Sequence, residues 1–255
     1  MESLWISNYL LIGIAAFFAG MLNALAGGGT FLTLPSLIFI GVPPVAANAT
    51  SASALLPGYL GAAFGYKDIF KEVDKMYLTK LLVLVTIASI IGAFLLVKTP
   101  NSVFLNLAPW LILIATVLFI LSPYLTNKAT KSLGSNKFIP SASVFLVGGY
   151  GGYFNGGLGI ALLAVLSLNP STNLPQTIAL KSLMSFILTL VSVIFFAVSG
   201  LVKWPLALSM MILSTFGGYL GAKLTQRLSK ELTRKAIILI GILMTLFMFY
   251  ASLDA

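Results

Sequence analysis

Asn23-Ala24-Leu25-Ala26-Gly27-Gly28-Gly29-Thr30 interrupts an apolar run that extends from residue 9 to residue 40. Glycine has no Cβ to restrict its backbone, so three in succession break a helix readily. Pro35 marks the same run a second time. A matching interruption, Asn155-Gly156-Gly157-Leu158-Gly159, ends a glycine-rich patch that starts at Gly148, inside a second apolar run over 141–168. Each run reads as two arms around a break, a hairpin that enters an apolar medium and returns.

Composition identifies the medium. Of 255 residues, 59% are hydrophobic and only 8% charged. A water-facing domain carries about 25% charged residues, so the 15 Lys and Arg with 6 Asp and Glu cannot wet a globule of this size. An ordinary soluble enzyme, a disordered chain and a disulfide scaffold are thereby excluded. The expectation is an all-α, polytopic membrane helical bundle forming one transmembrane domain over 1–255, with the lipid bilayer as its solvent. Cys and His are absent, which removes disulfides, Cys/His metal sites and histidine bases. Glu2, Asp68, Glu72, Asp74, Glu231 and Asp254 all lie in loops or termini. No carboxylate is left for intramembrane catalysis or cation export, and no catalytic residue, cofactor or metal is expected. Met1-Glu2-Ser3-Leu4-Trp5 lacks a basic stretch, so the first run is not expected to be a cleaved signal.

A spanning helix needs about 20 apolar residues. Residues 45–66, 77–97, 102–124, 176–199, 204–222 and 236–253 meet this. The halves repeat. A shift of 130 overlays Gly27 on Gly157, Gly29 on Gly159, Leu32 on Leu162 and Ala49 on Ala179. A shift of 129 overlays Leu84 on Leu213, Gly92-Ala93 on Gly221-Ala222 and Thr116 on Thr245. Repeat one covers about 5–125 and repeat two about 138–255. With each broken run as a hairpin, loops 67–80, 126–140 and 223–235 share a side and carry twelve basic residues, against Lys98 and Lys203 opposite. A single crossing per run gives a weaker eight-to-six split. Basic loops stay cytoplasmic, which also explains the net charge of +9 without nucleic acid. Both termini are then expected outside a cell (inner) membrane, and the halves become inverted repeats, each a glycine-broken hairpin followed by three spans.

Three constellations could carry chemistry. Asn23, Gly27, Gly28, Gly29 and Thr30, with Asn155, Gly157 and Gly159, expose backbone N–H groups that can hold an anion; close helix packing is the plainer role. Asn48, Thr50 and Ser51 supply neutral donors, or else interhelical hydrogen bonds. Lys181, with Ser182, is a cation inside an apolar segment, roughly 9 Å into its helix. Without an intramembrane acid, its natural counter-ion is a transported anion; snorkelling to the interface is the alternative.

The residues Gly20-Met21-Leu22-Asn23-Ala24-Leu25-Ala26-Gly27-Gly28-Gly29-Thr30, Pro35, Gly41-Val42-Pro43-Pro44-Val45-Ala46-Ala47-Asn48-Ala49-Thr50-Ser51, Gly149–Gly159 and Ala179-Leu180-Lys181-Ser182 resemble the TauE/SafE sulfite exporter family, also called the TSUP or anion permease family. The resemblance implies a multi-pass transporter of small sulfur-containing anions: sulfite, sulfonates such as sulfoacetate, or thiosulfate. Ile178 stands where many relatives carry Asn. Alternating access between the inverted repeats is the expected mechanism. A non-transport scaffold or assembly factor, and an anion channel, are the competing readings. A proton or sodium is the expected coupling ion, and a homodimer is compatible with such a bundle. Because native cysteine is absent, Lys131→Cys tests the topology: an impermeant thiol reagent should leave it unlabelled in intact cells and label it after permeabilisation.

Overall fold

The computed structural model describes residues 2–25, 27–132, 138–166, 172–225 and 230–253, and every long element among them is a helix. The first half contains α1 (Glu2–Leu25), α2 (Thr30–Phe39), α3 (Pro44–Gly65), α4 (Lys75–Lys98) and α5 (Asn101–Ser132). The second contains α6 (Phe138–Tyr153), α7 (Leu158–Leu166), α8 (Leu174–Val198), α9 (Trp204–Thr225) and α10 (Lys230–Leu253). A 3-10 turn, Ile69–Glu72, precedes α4. Local chemistry sets several boundaries. Asp74 accepts the N–H of Tyr77 at 2.7 Å to start α4. Asn173 and Gln176 form a reciprocal capping box at α8. Both apolar runs break where expected, α1 from α2 and α6 from α7.

The packing has a two-fold pattern. α1 packs on α9, and α6 packs on α4; α3 meets α8; α5 meets α10. α3 also lies on α9 as α8 lies on α4, and α5 touches α7 as α10 touches α2. Exchanging α1–α5 for α6–α10 leaves every one of these pairs unchanged. Lipid-like surroundings give little hydrophobic drive between helices, so close approach of small residues carries the seams. At the α1–α9 seam, Gly217 sits on the Phe17 carbonyl and Gly20 on the Ser214 carbonyl. At the α4–α6 seam, Gly92 sits on the Gly149 carbonyl and Gly152 against Ser89. Thr116 and Thr245, the pair matched by the shift of 129, are both buried, one on α5 and one on α10.

Each hairpin opens at its own end of the bundle. Asn8 and Tyr9 near the start of α1 line one cavity with Ile40–Pro43 at the end of α2, and Lys203 joins them. Val45 donates its N–H to Asn101 Oδ1 at 3.0 Å, which brings the start of α5 to the same end. The second hairpin shares its apolar cluster with the start of α4 instead: Val144 of α6, Leu166 of α7, and Val73 and Tyr77.

Among the described residues, Lys75–Lys98, Asn101–Leu121 and Pro175–Val198 are long and apolar enough to cross a membrane. α3, expected as a further span, has its expected length but is richer in Ala, Ser, Thr and Asn. Its residues Val45 to Leu55 are buried without interruption. A helix enclosed on all sides by protein need not be apolar enough for lipid. Lipid-sized residues face outward elsewhere: Ile91 and Phe94 on α4, Ile212 and Phe216 on α9, Leu246 and Tyr250 on α10.

The seams give the first structural test. A Cβ on Gly92 would meet the Gly149 carbonyl and lie 2.7 Å from the Tyr153 nitrogen. Gly92→Val should cost about 3 kcal/mol, read as a lowered thermal midpoint in detergent. Gly61, with nothing within 4 Å of a built Cβ, should accept Ala and gain about 0.5–1 kcal/mol.

Candidate functional site

The two helix breaks touch. Gly27 has φ +81° and Gly157, its partner in the repeat, φ +71°. Both lie in the left-handed region that only glycine enters cheaply. A Cβ on Gly27 would lie 3.0 Å from Gly159 Cα, and one on Gly29 would lie 2.7 Å from the Ala19 carbonyl oxygen. Across the break, a Cβ on Gly156 would meet the Phe31 ring at 3.2 Å and one on Gly157 would meet Ala115 Cβ at 2.5 Å. Gly27 and Gly157 are therefore required by contact as well as by conformation, and Gly29 and Gly156 by contact alone. Gly28 is different, since its nearest neighbour would be the Phe31 ring at 3.5 Å.

Two short helices start at this junction, α2 of 10 residues and α7 of 9. Helix N-termini present N–H groups without intrahelical partners and a partial positive charge. Ile160 and Ala161 bond back to the Gly157 carbonyl at 3.0 and 3.2 Å. The N–H groups of Gly156, Gly157 and Gly159 make no hydrogen bond among the described residues. Thr30, the first residue of α2, has a buried hydroxyl with no partner among the described residues.

A chain of neutral polar groups surrounds the junction. The Tyr59 hydroxyl donates to Asn155 Oδ1 at 3.3 Å, and Asn155 Nδ2 donates to Thr189 Oγ1 at 3.0 Å. Asn23 borders the same Tyr59 hydroxyl. The Tyr150 hydroxyl donates to the Gly156 carbonyl at 2.7 Å and so holds the unwound backbone. Asn48 Nδ2 donates to the Tyr153 carbonyl at 2.9 Å, at the last residue of α6. Asn23 Oδ1, Asn48 Oδ1 and Ser185 Oγ are buried without a partner among the described residues, as is Thr30 Oγ1. Such groups are costly to leave dry and mark places for a ligand, ion or water.

Of the residues read from sequence, Asn23, Gly27, Gly28, Gly29, Thr30, Asn155, Gly157 and Gly159 are brought together, and Asn48 joins them through Tyr153. Ser51 instead pairs with Thr33 of α2. Thr50 Oγ1 accepts the backbone N–H of Lys203 at 3.0 Å, tying α3 to the start of α9. Ser182 returns its hydroxyl to the Ile178 carbonyl at 2.9 Å. Lys181 is half-buried and makes no hydrogen bond or ion pair among the described residues. It lies eight residues before Thr189 on α8, about 12 Å along the axis, and helical side chains lean toward the N-terminus, away from the junction. Tyr59 and Thr189 were missed. Their signal is periodic: Asn48, Ser51 and Tyr59 share one face of α3, and Ser182, Ser185, Thr189 and Ser192 share one buried face of α8.

With this geometry in view, comparison with known proteins decides the family. The profile of the sulfite exporter TauE/SafE family matches residues 12–248. The chain belongs to the TauE/SafE family. It is 32% identical over 236 residues to a protein of Haemophilus influenzae named "Probable membrane transporter protein", covering 92% of this chain and 91% of that one. It is 26% identical to "Probable membrane transporter protein YfcA" of Escherichia coli K12, covering 98% and 94%. A Sinorhizobium protein, "Probable membrane transporter protein ORF9", is 24% identical over 95% and 92% of the two chains. No solved structure matches. This TauE/SafE chain is thus a helical membrane protein whose family and relatives point to a transporter rather than an enzyme.

The glycines of the junction separate by one residue. Gly27→Ala places a Cβ in the left-handed region and on Gly159, and should lower stability by about 2–3 kcal/mol. Gly28→Ala should stay within about 0.5 kcal/mol. Paired thermal midpoints in detergent read the difference.

Proposed function

We propose that the protein carries small anions, sulfur oxyanions or organosulfonates such as sulfite, sulfoacetate or thiosulfate, across the cell membrane through a site at the junction of the two helix breaks. The observation that carries this reading is the convergence of the α2 and α7 N-termini at Gly27 and Gly159. Two helix ends of like polarity repel each other unless an anion lies between them. The free N–H groups of Gly156, Gly157 and Gly159 supply its hydrogen bonds, and Thr30 and Asn23 extend the set. The unpartnered Asn23, Asn48 and Ser185 oxygens are hard ligands suited to a coupling cation such as sodium.

Alternating access follows from the opposite openings of the two hairpins. The halves act as inverted repeats, about 5–125 and 138–255, and exchange conformations about the fixed junction. Both termini lie outside, with the basic loops in the cytoplasm. Lys181 then stands toward the cytoplasmic end of the pathway, where its charge and the α8 N-terminus draw the anion in or release it.

Thermal stabilisation of purified protein by sulfite, sulfoacetate, thiosulfate, sulfate and chloride tests the ligand class. Sulfur oxyanions should raise the midpoint most; indifference to all five would end the anion reading. Lys181→Met should cut liposome transport at least tenfold while the midpoint holds or rises, because an unpaired charge is removed from apolar surroundings. Unchanged transport would show that Lys181 only reaches for the interface.

A further inference from the structure

The cavity at the mouth of the first hairpin is not part of the junction. Its volume is about 570 Å³, and Asn8, Tyr9, Val42, Lys203, Pro205 and Leu206 line it. That size falls within the roughly 300–1,000 Å³ of small-ligand sites. We propose that this cavity is a vestibular binding site for anions that carry a short apolar body, a stop before the central junction. The proposal rests on anion transport for its purpose, but its binding chemistry stands separately.

Three features support it. First, the polar wall is made of donors: the Asn8 amide, the Tyr9 hydroxyl and the Lys203 ammonium. None of these side chains makes a hydrogen bond or ion pair among the described residues. Among the described residues, none that lines the cavity is acidic. Second, α9 begins at Trp204, so its N-terminal end opens beside Lys203 and adds positive potential. Third, the backbone that presents Lys203 is fixed. Its N–H is held by Thr50 at 3.0 Å, its carbonyl by the Ala207 N–H at 2.9 Å, and Val202 beside it is in the core. Only the side chain is free to meet a ligand.

The lining also limits the ligand. Ile40, Val42, Pro43, Pro205 and Leu206 give the cavity an apolar lining beside one compact cation. An ion with an anionic head and a few carbon atoms satisfies both, whereas a bare inorganic anion leaves the apolar lining unused. A short alkanesulfonate has this chemistry, and so does the head of an acidic phospholipid. The site is assigned to the soluble ion, because protein encloses it on three sides, from α1, the α2–α3 turn and α9.

Trp204, next to Lys203, is a built-in reporter. In the full chain carrying Trp5→Phe and Trp110→Phe, ethanesulfonate should give a saturable change in Trp204 fluorescence. Lys203→Gln should weaken it about tenfold, Lys203→Arg should restore it, and sulfate should bind more weakly than ethanesulfonate. Nanodiscs of phosphatidylcholine and of phosphatidylglycerol should give the same titration. Loss of the response only with phosphatidylglycerol would mean that a lipid head occupies the cavity, and would overturn the assignment. In liposomes, Lys203→Gln should raise KM for ethanesulfonate about tenfold with kcat within twofold. A flat native titration, or one unchanged by Lys203→Gln, overturns the vestibule whatever transport does. Gly27→Ala separates the two readings: it should lose transport and keep the Trp204 response. Transport surviving Gly27→Ala would count against the central junction and leave the vestibule standing.

Discussion

A helix that stops inside an apolar slab leaves polar N–H and C=O groups with no water to meet them. Both breaks, at Gly27–Gly29 and at Phe154–Gly157, face that constraint, and they meet it jointly by lying against each other. Gly27 rests on Gly159 with no room for a side chain of its own. Tyr150 reaches the Gly156 carbonyl, Asn48 the Tyr153 carbonyl, and Asn155 links Tyr59 to Thr189. What these side chains leave unsatisfied among the described residues is N–H at the start of α7, with the side-chain oxygens of Asn23, Thr30, Asn48 and Ser185. The same contact that makes the fold tolerable in lipid gathers these polar groups in one place.

The remaining architecture serves that contact. α3 and α8 cross next to the junction and contribute its buried polar faces, Asn48 and Tyr59 from one and Ser185 and Thr189 from the other. Because both helices are sheltered by α4 and α9, they can carry Asn, Ser and Thr at a depth where a lipid-facing helix could not. The outer helices do the opposite work, with Ile, Leu and Phe outward and small residues inward. The polar load sits on protected elements and the apolar load on exposed ones.

Much of this was legible in the sequence, for identifiable reasons. Glycine runs announce helix breaks because their conformational freedom is local, and the segment bounds followed from hydropathy. Matching Gly27 to Gly157 by a fixed shift anticipated two residues that share a left-handed backbone. What stayed hidden depends on distance across the chain. The partner of Tyr59 is 96 residues away, and periodicity gives the face but not the partner. Lys181 shows a second limit. Sequence marks a charge within an apolar segment but not its depth, and α8 carries it about 12 Å along the axis from Thr189. α3 shows a third limit, since hydropathy scores a helix against lipid and its residues Val45 to Leu55 meet protein.

The twin seams have a consequence for how the chain is made. α1 has its main partner in α9 and α4 in α6, so each half finishes synthesis with its small-residue faces uncovered. Neither half is a self-sufficient unit. The two are interlocked like clasped hands, and the first cannot reach its final packing until most of the second has entered the membrane. Contacts so far apart in sequence slow assembly, and during that interval the glycine faces of α1 and α4 are open to any other helix in the bilayer. Biogenesis, more than the finished bundle, is where this chain is exposed to mispairing.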